Sequence, residues 1–136
     1  MSSNTKSIGV AFEDQNIIGS DFVLSGGQFG YTADAQGAVT QLTSKSTGVT
    51  LNKSCGQITL NDAALAGTTN VTFTLTNSLI SIKDVIVLNV YGGTPGSYNV
   101  WISGLATGSA TITVRNITGG SLSEAIVINY AVIHGQ

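Results

Sequence analysis

Apolar and polar residues alternate along much of this chain. From Asn70 to Asn77, Val71, Phe73 and Leu75 fall on one side and Thr72, Thr74 and Thr76 on the other. A strict period of two predicts a strand with one face in a core and the other in polar surroundings. Gly108 to Asn116 repeats the scheme, with Ala110, Ile112 and Val114 inward and Thr111, Thr113 and Arg115 outward. Shorter strands are predicted at 48–51 and 56–60, with Asn52-Lys53-Ser54 as the turn between them, and a further one at 39–42. Two segments break the alternation. Asp84 to Tyr91 carries Val85, Val87 and Tyr91 on one side and Ile86, Leu88 and Val90 on the other. Glu124 to Ile133 sets Val127, Ala131 and Ile133 opposite Ile126, Ile128, Tyr130 and Val132. A strand that is apolar on both faces is covered on both faces. In an antiparallel sandwich the second cover comes from an N-terminal arm, a long loop or a neighbouring subunit. Oligomerisation is therefore expected, with Tyr91, Tyr130 and Val132 as candidate subunit-interface residues.

Glycine marks the reversals. Gly92-Gly93-Thr94-Pro95-Gly96 separates two strands, and Gly104 to Gly108 and Gly119-Gly120 close the next connections. Turn signals about 8–14 residues apart are those of a sandwich or barrel. One helical turn is predicted at 61–66, capped by Asn61 or Asp62 and stopped by Gly67. The expected fold is all-β: an antiparallel β-sandwich over residues 37–136, preceded by an extended N-terminal arm, residues 1–36. That arm holds four of the seven acidic residues, Glu13, Asp14, Asp21 and Asp34.

The whole chain of 136 residues suits one domain. Charged residues make up 9% of it, against about 25% in an ordinary soluble domain. Its apolar runs are nevertheless strand-sized, as in Val85-Ile86-Val87-Leu88, and well short of the ~20 residues a spanning helix needs. Residues 1–7 are polar, without the apolar centre of a secretory signal. A surface of Ser, Thr, Asn and Gly rather than charge suits a protein whose faces are covered by partners. The net charge is −2, and the five basic residues, Lys6, Lys45, Lys53, Lys83 and Arg115, are scattered. Scattered cations build no phosphate-binding stripe, so no nucleic-acid partner is expected, and no membrane partner either. The single cysteine, Cys55, excludes an internal disulfide and a multi-thiolate metal site.

Little in the sequence carries catalytic chemistry. Leu24-Ser25-Gly26-Gly27-Gln28 spells the signature motif of ABC-type ATPases, but no P-loop accompanies it. It reads instead as a glycine turn between Phe22-Val23-Leu24 and Phe29-Gly30-Tyr31. His134, the sole histidine, sits near the end of the chain and reads as a solvated tail residue. Glu13 and Asp14 are adjacent, so on a strand they face opposite ways and do not make a glycosidase pair. With Asp21 and Asp34 they lack the spacing of an EF-hand, and no metal site is assigned. Trp101, Tyr98, Tyr91, Tyr130 and Tyr31 are the side chains a sugar-binding face would use. Tyr98 and Trp101 have opposite parity, however, and cannot share one platform. Core packing or a subunit seam accounts for them better.

The stretch from Ser46 to Leu60, STGVTLNKSCGQITL, begins a resemblance. It continues through Val71 to Asn77, Asp84 to Asn89 and Ile112 to Asn116, and ends with SLSEAIVINYAVIHG at 121–135. Across residues 38–135 the chain resembles small virion proteins or C-terminal domains of tailed bacteriophages, found as capsid decoration (cement) proteins or in fibres. The resemblance implies a jelly-roll-like sandwich, usually a homotrimer, with no cofactor. It further implies a place on the outer head surface of the virion, after synthesis in the host cytoplasm, with the major capsid protein as partner. On that reading, Ile8, Val10, Phe12, Ile17 and Ile18 of the arm are candidate capsid contacts. The alternative is a tail-fibre or head-fibre adhesin domain that binds host carbohydrate. An enzymatic role finds almost no convergent carboxylates to support it.

Overall fold

The structure, a computed structural model, describes residues 22–25 and 28–135. They form ten strands: β1 (Phe22–Ser25), β2 (Gln28–Tyr31), β3 (Gln36–Thr40), β4 (Val49–Thr50), β5 (Cys55–Thr59), β6 (Asn70–Thr76), β7 (Val85–Gly92), β8 (Tyr98–Ala106), β9 (Ser109–Asn116) and β10 (Val127–Ile133). Two four-stranded sheets, ordered β3-β5-β10-β7 and β4-β6-β9-β8, make an all-β sandwich, and β1 and β2 form a separate hairpin. The sheets are mixed, which corrects the antiparallel expectation. β3 runs parallel to β5, and β4 parallel to β6. Alternation sets which face of a strand is buried, but not the direction of its neighbour.

The parallel pairing of β3 and β5 depends on Gly56, which lies opposite Gly37. A Cβ added at Gly56 would sit 2.3 Å from the Gly37 carbonyl oxygen. The β8–β9 reversal uses Gly108 at φ +83°, a conformation open mainly to glycine.

Between the sheets lies the predicted core. Ile58, Ile128, Tyr130 and Val132 come from one sheet, and Phe73, Leu75, Ile112 and Val114 from the other, all 3% exposed or less. In β6 and β9 the alternate threonines face outward as expected. Two expectations fail here. Residues 61–66 form no helical turn: the Asn61 side-chain oxygen accepts the Ala63 N–H, and Leu65 forms a β-bridge with Leu122. In addition, Tyr130 and Val132 belong to this chain's own core and offer no surface to a second subunit. Their strand is apolar on both sides, so parity alone left the core side undecided.

Buried polar side chains fasten the connections to this core. Lys45 is buried, and its ammonium donates to the carbonyls of Asn61 and Glu124; burial lowers its pKa. The Gln41 amide donates to the Lys45 and Thr47 carbonyls and accepts from the Asn61 N–H. Asn116 donates to the Leu65 and Gly120 carbonyls, and Asn77 to that of Lys53. The Tyr130 hydroxyl also donates to Lys53 O, at 2.9 Å, and burial pushes its pKa up to about 12. A buried backbone carbonyl needs a donor, and these side chains supply one where the strand ladders stop.

Candidate functional site on the outer sheet faces

Each sheet turns one face away from the core, and strand register fixes what that face presents. On β4-β6-β9-β8 it is polar. Thr72 and Thr74 of β6 lie opposite Thr113 and Thr111 of β9, and Thr113 lies opposite Trp101 of β8. The Thr72 and Thr113 hydroxyls are 2.9 Å apart, and Thr113 donates to Ser103 at 2.7 Å. Arg115 and Asn99 pair further along. Trp101 is the one large apolar side chain standing among these groups, and it is 39% exposed.

The outer face of β3-β5-β10-β7 carries no charged residue. Gln36, Ala38 and Thr40 stand beside Cys55, Gln57 and Thr59. These are followed by Val127, Asn129, Ala131 and Ile133 on β10, and by Val85, Val87, Asn89 and Tyr91 on β7. One end is apolar: Val85 is 60% exposed, Val87 50% and Ile133 52%. Across the face, Gln57 of β5, Asn129 of β10 and Asn89 of β7 form a row of amides. Among the described residues the Asn129 side-chain oxygen has no hydrogen-bond partner, and it is shielded from solvent.

The hairpin reaches the apolar end of this face. Val132 gives its N–H to Ser54 O, just before β5 begins, and its own carbonyl lies beyond that ladder. The Tyr31 hydroxyl donates to that carbonyl. A groove of about 470 Å³ follows, lined by Phe29, Gly30, Tyr31, Ala131, Ile133 and His134. Burial raises the Tyr31 pKa, with smaller contributions from Cys55 and Asp84. The hairpin matches the predicted glycine turn, with Ser25 opposite Gln28, so the arm expected to be extended contains local structure within residues 22–35.

Two of the described acidic groups, Glu124 and Asp84, are held in separate hydrogen-bond networks. Glu124 accepts from the Thr94 N–H and hydroxyl and from the Tyr98 hydroxyl, all within 3.1 Å. Those bonds hold its pKa below the ordinary value, while burial and the Glu124 bond raise that of Tyr98. Asp84 is buried and accepts from the Ser81 N–H and hydroxyl and the Gly135 N–H, with the His134 Nδ1 at 3.1 Å. Burial alone would raise its pKa, but those hydrogen bonds outweigh it and hold the carboxyl at about 2. His134 is exposed, as expected of a solvated tail residue, but its ring is also held by Asp84 at the exit of β10. Cys55 is half-buried, with its thiol facing the Ala35 carbonyl.

Among the described residues, no three His, Cys, Asp or Glu side chains gather where a metal could bind, and no helix is long and apolar enough to cross a membrane. The structure spreads the sequence's aromatic candidates. Tyr98 and Tyr130 point into the core, Trp101 stands on one outer face, and Tyr91, 70% exposed, stands on the other. Ile8, Val10, Phe12, Ile17 and Ile18, with Glu13, Asp14 and Asp21, lie outside the described residues. The uncharged face itself could have been drawn from the sequence once the parity of β7 and β10 was fixed. Its continuation across β3 and β5 depends on a parallel pairing with no sequence signal. Compared with protein-family models, with curated proteins and with solved structures, the chain matches none.

Proposed function

We propose that this chain is a non-catalytic structural module: a bacteriophage capsid decoration protein, acting as a homotrimer on the outer head surface. It holds neighbouring major capsid subunits together and uses no cofactor. The observation that carries the reading is the uncharged outer face of β3-β5-β10-β7, with Val85, Val87 and Ile133 each at least half exposed. A contiguous apolar patch of this kind marks a protein–protein contact. The resemblance across residues 38–135 supplies the class of partner. Three weak contacts on one rigid trimer would give a residence time that no single contact reaches.

The test is the mass of the purified protein by light scattering, followed by sedimentation with undecorated phage capsids. A trimer that pellets with capsids, and does so less when Val87 is replaced by Lys, supports the proposal. A monomer, or a trimer that stays in the supernatant, removes it. A second reading, an adhesin for host carbohydrate, is favoured by Trp101 among Thr72, Thr113 and Ser103, where a ring beside hydroxyls suits a sugar. If Trp101→Ala binds host cells unchanged, that reading fails.

A further inference from the structure

The chain has one tryptophan and one arginine, and the polar sheet brings them to the same outer face. Register fixes the arrangement. Asn70, Arg115 and Asn99 lie in one row across β6, β9 and β8, and Thr72, Thr113 and Trp101 in the next. Trp101 and Arg115 are therefore diagonal neighbours on adjacent strands, a separation that long side chains span. Trp101, Arg115, Asn70 and Asn99 are all exposed.

Two features set this corner apart from the threonine lattice around it. The first is an extra residue in β8. Ile102 pairs with Ile112 and Gly104 with Thr111, so Ser103 has no residue opposite it. A bulge of this kind re-aims a side chain. Here it leaves Ser103 on the outer side, where its hydroxyl accepts from Thr113 at 2.7 Å. Thr113 is only 5% exposed, and its hydroxyl lies 2.9 Å from that of Thr72. The indole thus stands beside a run of hydroxyls that orient one another. The second feature is charge. β4, β6, β8 and β9 contain no acidic residue, so Arg115 has no counter-charge within its own sheet. Its cross-strand neighbours are instead two neutral amides, Asn70 and Asn99.

We propose that this corner binds an acidic sugar, a pyranose that bears a carboxylate. The indole offers a flat apolar surface to the C–H side of the ring. Arg115 takes the carboxylate through two parallel N–H donors, a geometry that a lysine does not match. Asn70 and Asn99 offer donors and acceptors to the hydroxyls on either side of that carboxylate, and Ser103 and Thr72 serve those nearer the indole. The single cation also argues for the class of ligand. A nucleic-acid strand carries a phosphate at every residue and is held by several cations along its path. An acidic sugar presents one charge to one guanidinium. The inference rests on the carbohydrate reading, to which it gives a site and a ligand class. It uses none of the uncharged face that carries the capsid reading.

The full chain is titrated with sialyllactose and with oligogalacturonate. Lactose and the methyl ester of oligogalacturonate serve as their neutral counterparts. Binding is followed by the fluorescence of the sole tryptophan, and by NMR of its indole N–H and of the Asn99 and Arg115 amides. At least one acidic sugar should bind on the order of 10-fold more tightly than its neutral counterpart and shift all three resonances. Arg115→Gln should remove that preference, and Trp101→Ala should weaken binding of both forms. Unchanged Ile112 and Val114 amides show that the two variants are folded. Equal affinity for acidic and neutral forms, or a preference that survives Arg115→Gln, overturns the inference and leaves the carbohydrate reading standing. If no sugar moves the indole resonance, both are wrong.

Discussion

The two sheets share a strand count and one core, yet their outer faces have opposite chemistry. The face of β4-β6-β9-β8 is a lattice of hydroxyls that bond one another, Thr72 to Thr113 to Ser103. That of β3-β5-β10-β7 has no charge, an apolar end at Val85, Val87 and Ile133, and a shielded amide oxygen at Asn129 that no described residue bonds. Threonine has high strand propensity and tolerates water, so the first face satisfies the fold alone. Valine and isoleucine satisfy strand propensity equally well but gain nothing from solvent. Their use on the second face asks for a reason beyond folding, which the proposed contact with another protein surface would supply.

The largest effect should be the same on both sides, because the core is common to them. Ile128→Ala and Ile112→Ala each remove a fully buried branched chain and should each cost about 2–5 kcal/mol in denaturant unfolding. A much smaller loss in one would mean that its sheet packs loosely. Gly56→Ala comes next. It drives a Cβ into the Gly37 carbonyl and should cost roughly 1–3 kcal/mol. Its effect should be concentrated in β3 amide exchange, since only the parallel pair is strained. Tyr130→Phe deletes the hydroxyl bond to Lys53 O, with an expected loss of about 1 kcal/mol and no change in oligomeric state. If this variant dissociates the assembly, the placement of Tyr130 in the core is wrong.

Acid should act where the start of β7 meets the end of β10. The Asp84 pKa is depressed, from 3.8 to about 2. Its contribution is therefore complete above about pH 4 and is lost as pH falls through about 2. Unfolding midpoints measured between those limits should fall more steeply in the wild type than in Asp84→Asn. The smallest effects on stability separate the two faces most sharply. Val87→Lys and Thr74→Lys should each leave folding within about 0.5 kcal/mol. Only Val87→Lys should weaken self-association or partner binding, read by light scattering and sedimentation. Equal behaviour of the two variants would erase the distinction between the faces.

Much of this molecule was legible in its residues. The 70–77 and 108–116 segments, with their threonines on one side, specify both strand and orientation, because apolar and polar chemistry agree at every position. The turn at Asn52 to Ser54 and the pairing of β1 with β2 follow from local conformational preference. The two-faced segments 84–91 and 124–133 announced that something covers them, but not what, since parity carries no information when both sides are apolar. That is why Tyr130 and Val132 read as interface and prove to be core. Asn61 signalled a helix cap and serves a bridge-forming loop, because its donors and acceptors are claimed by Gln41 and Lys45 from elsewhere in the chain. By itself, then, the sequence determined the strands, the turns and the scarcity of charge, all set by neighbours within a few residues. The tertiary structure decided the parallel pairings, which of two apolar faces is buried, and the order of the strands in each sheet. Those depend on contacts between residues far apart in the chain, where alternation specifies a face but not the partner it meets.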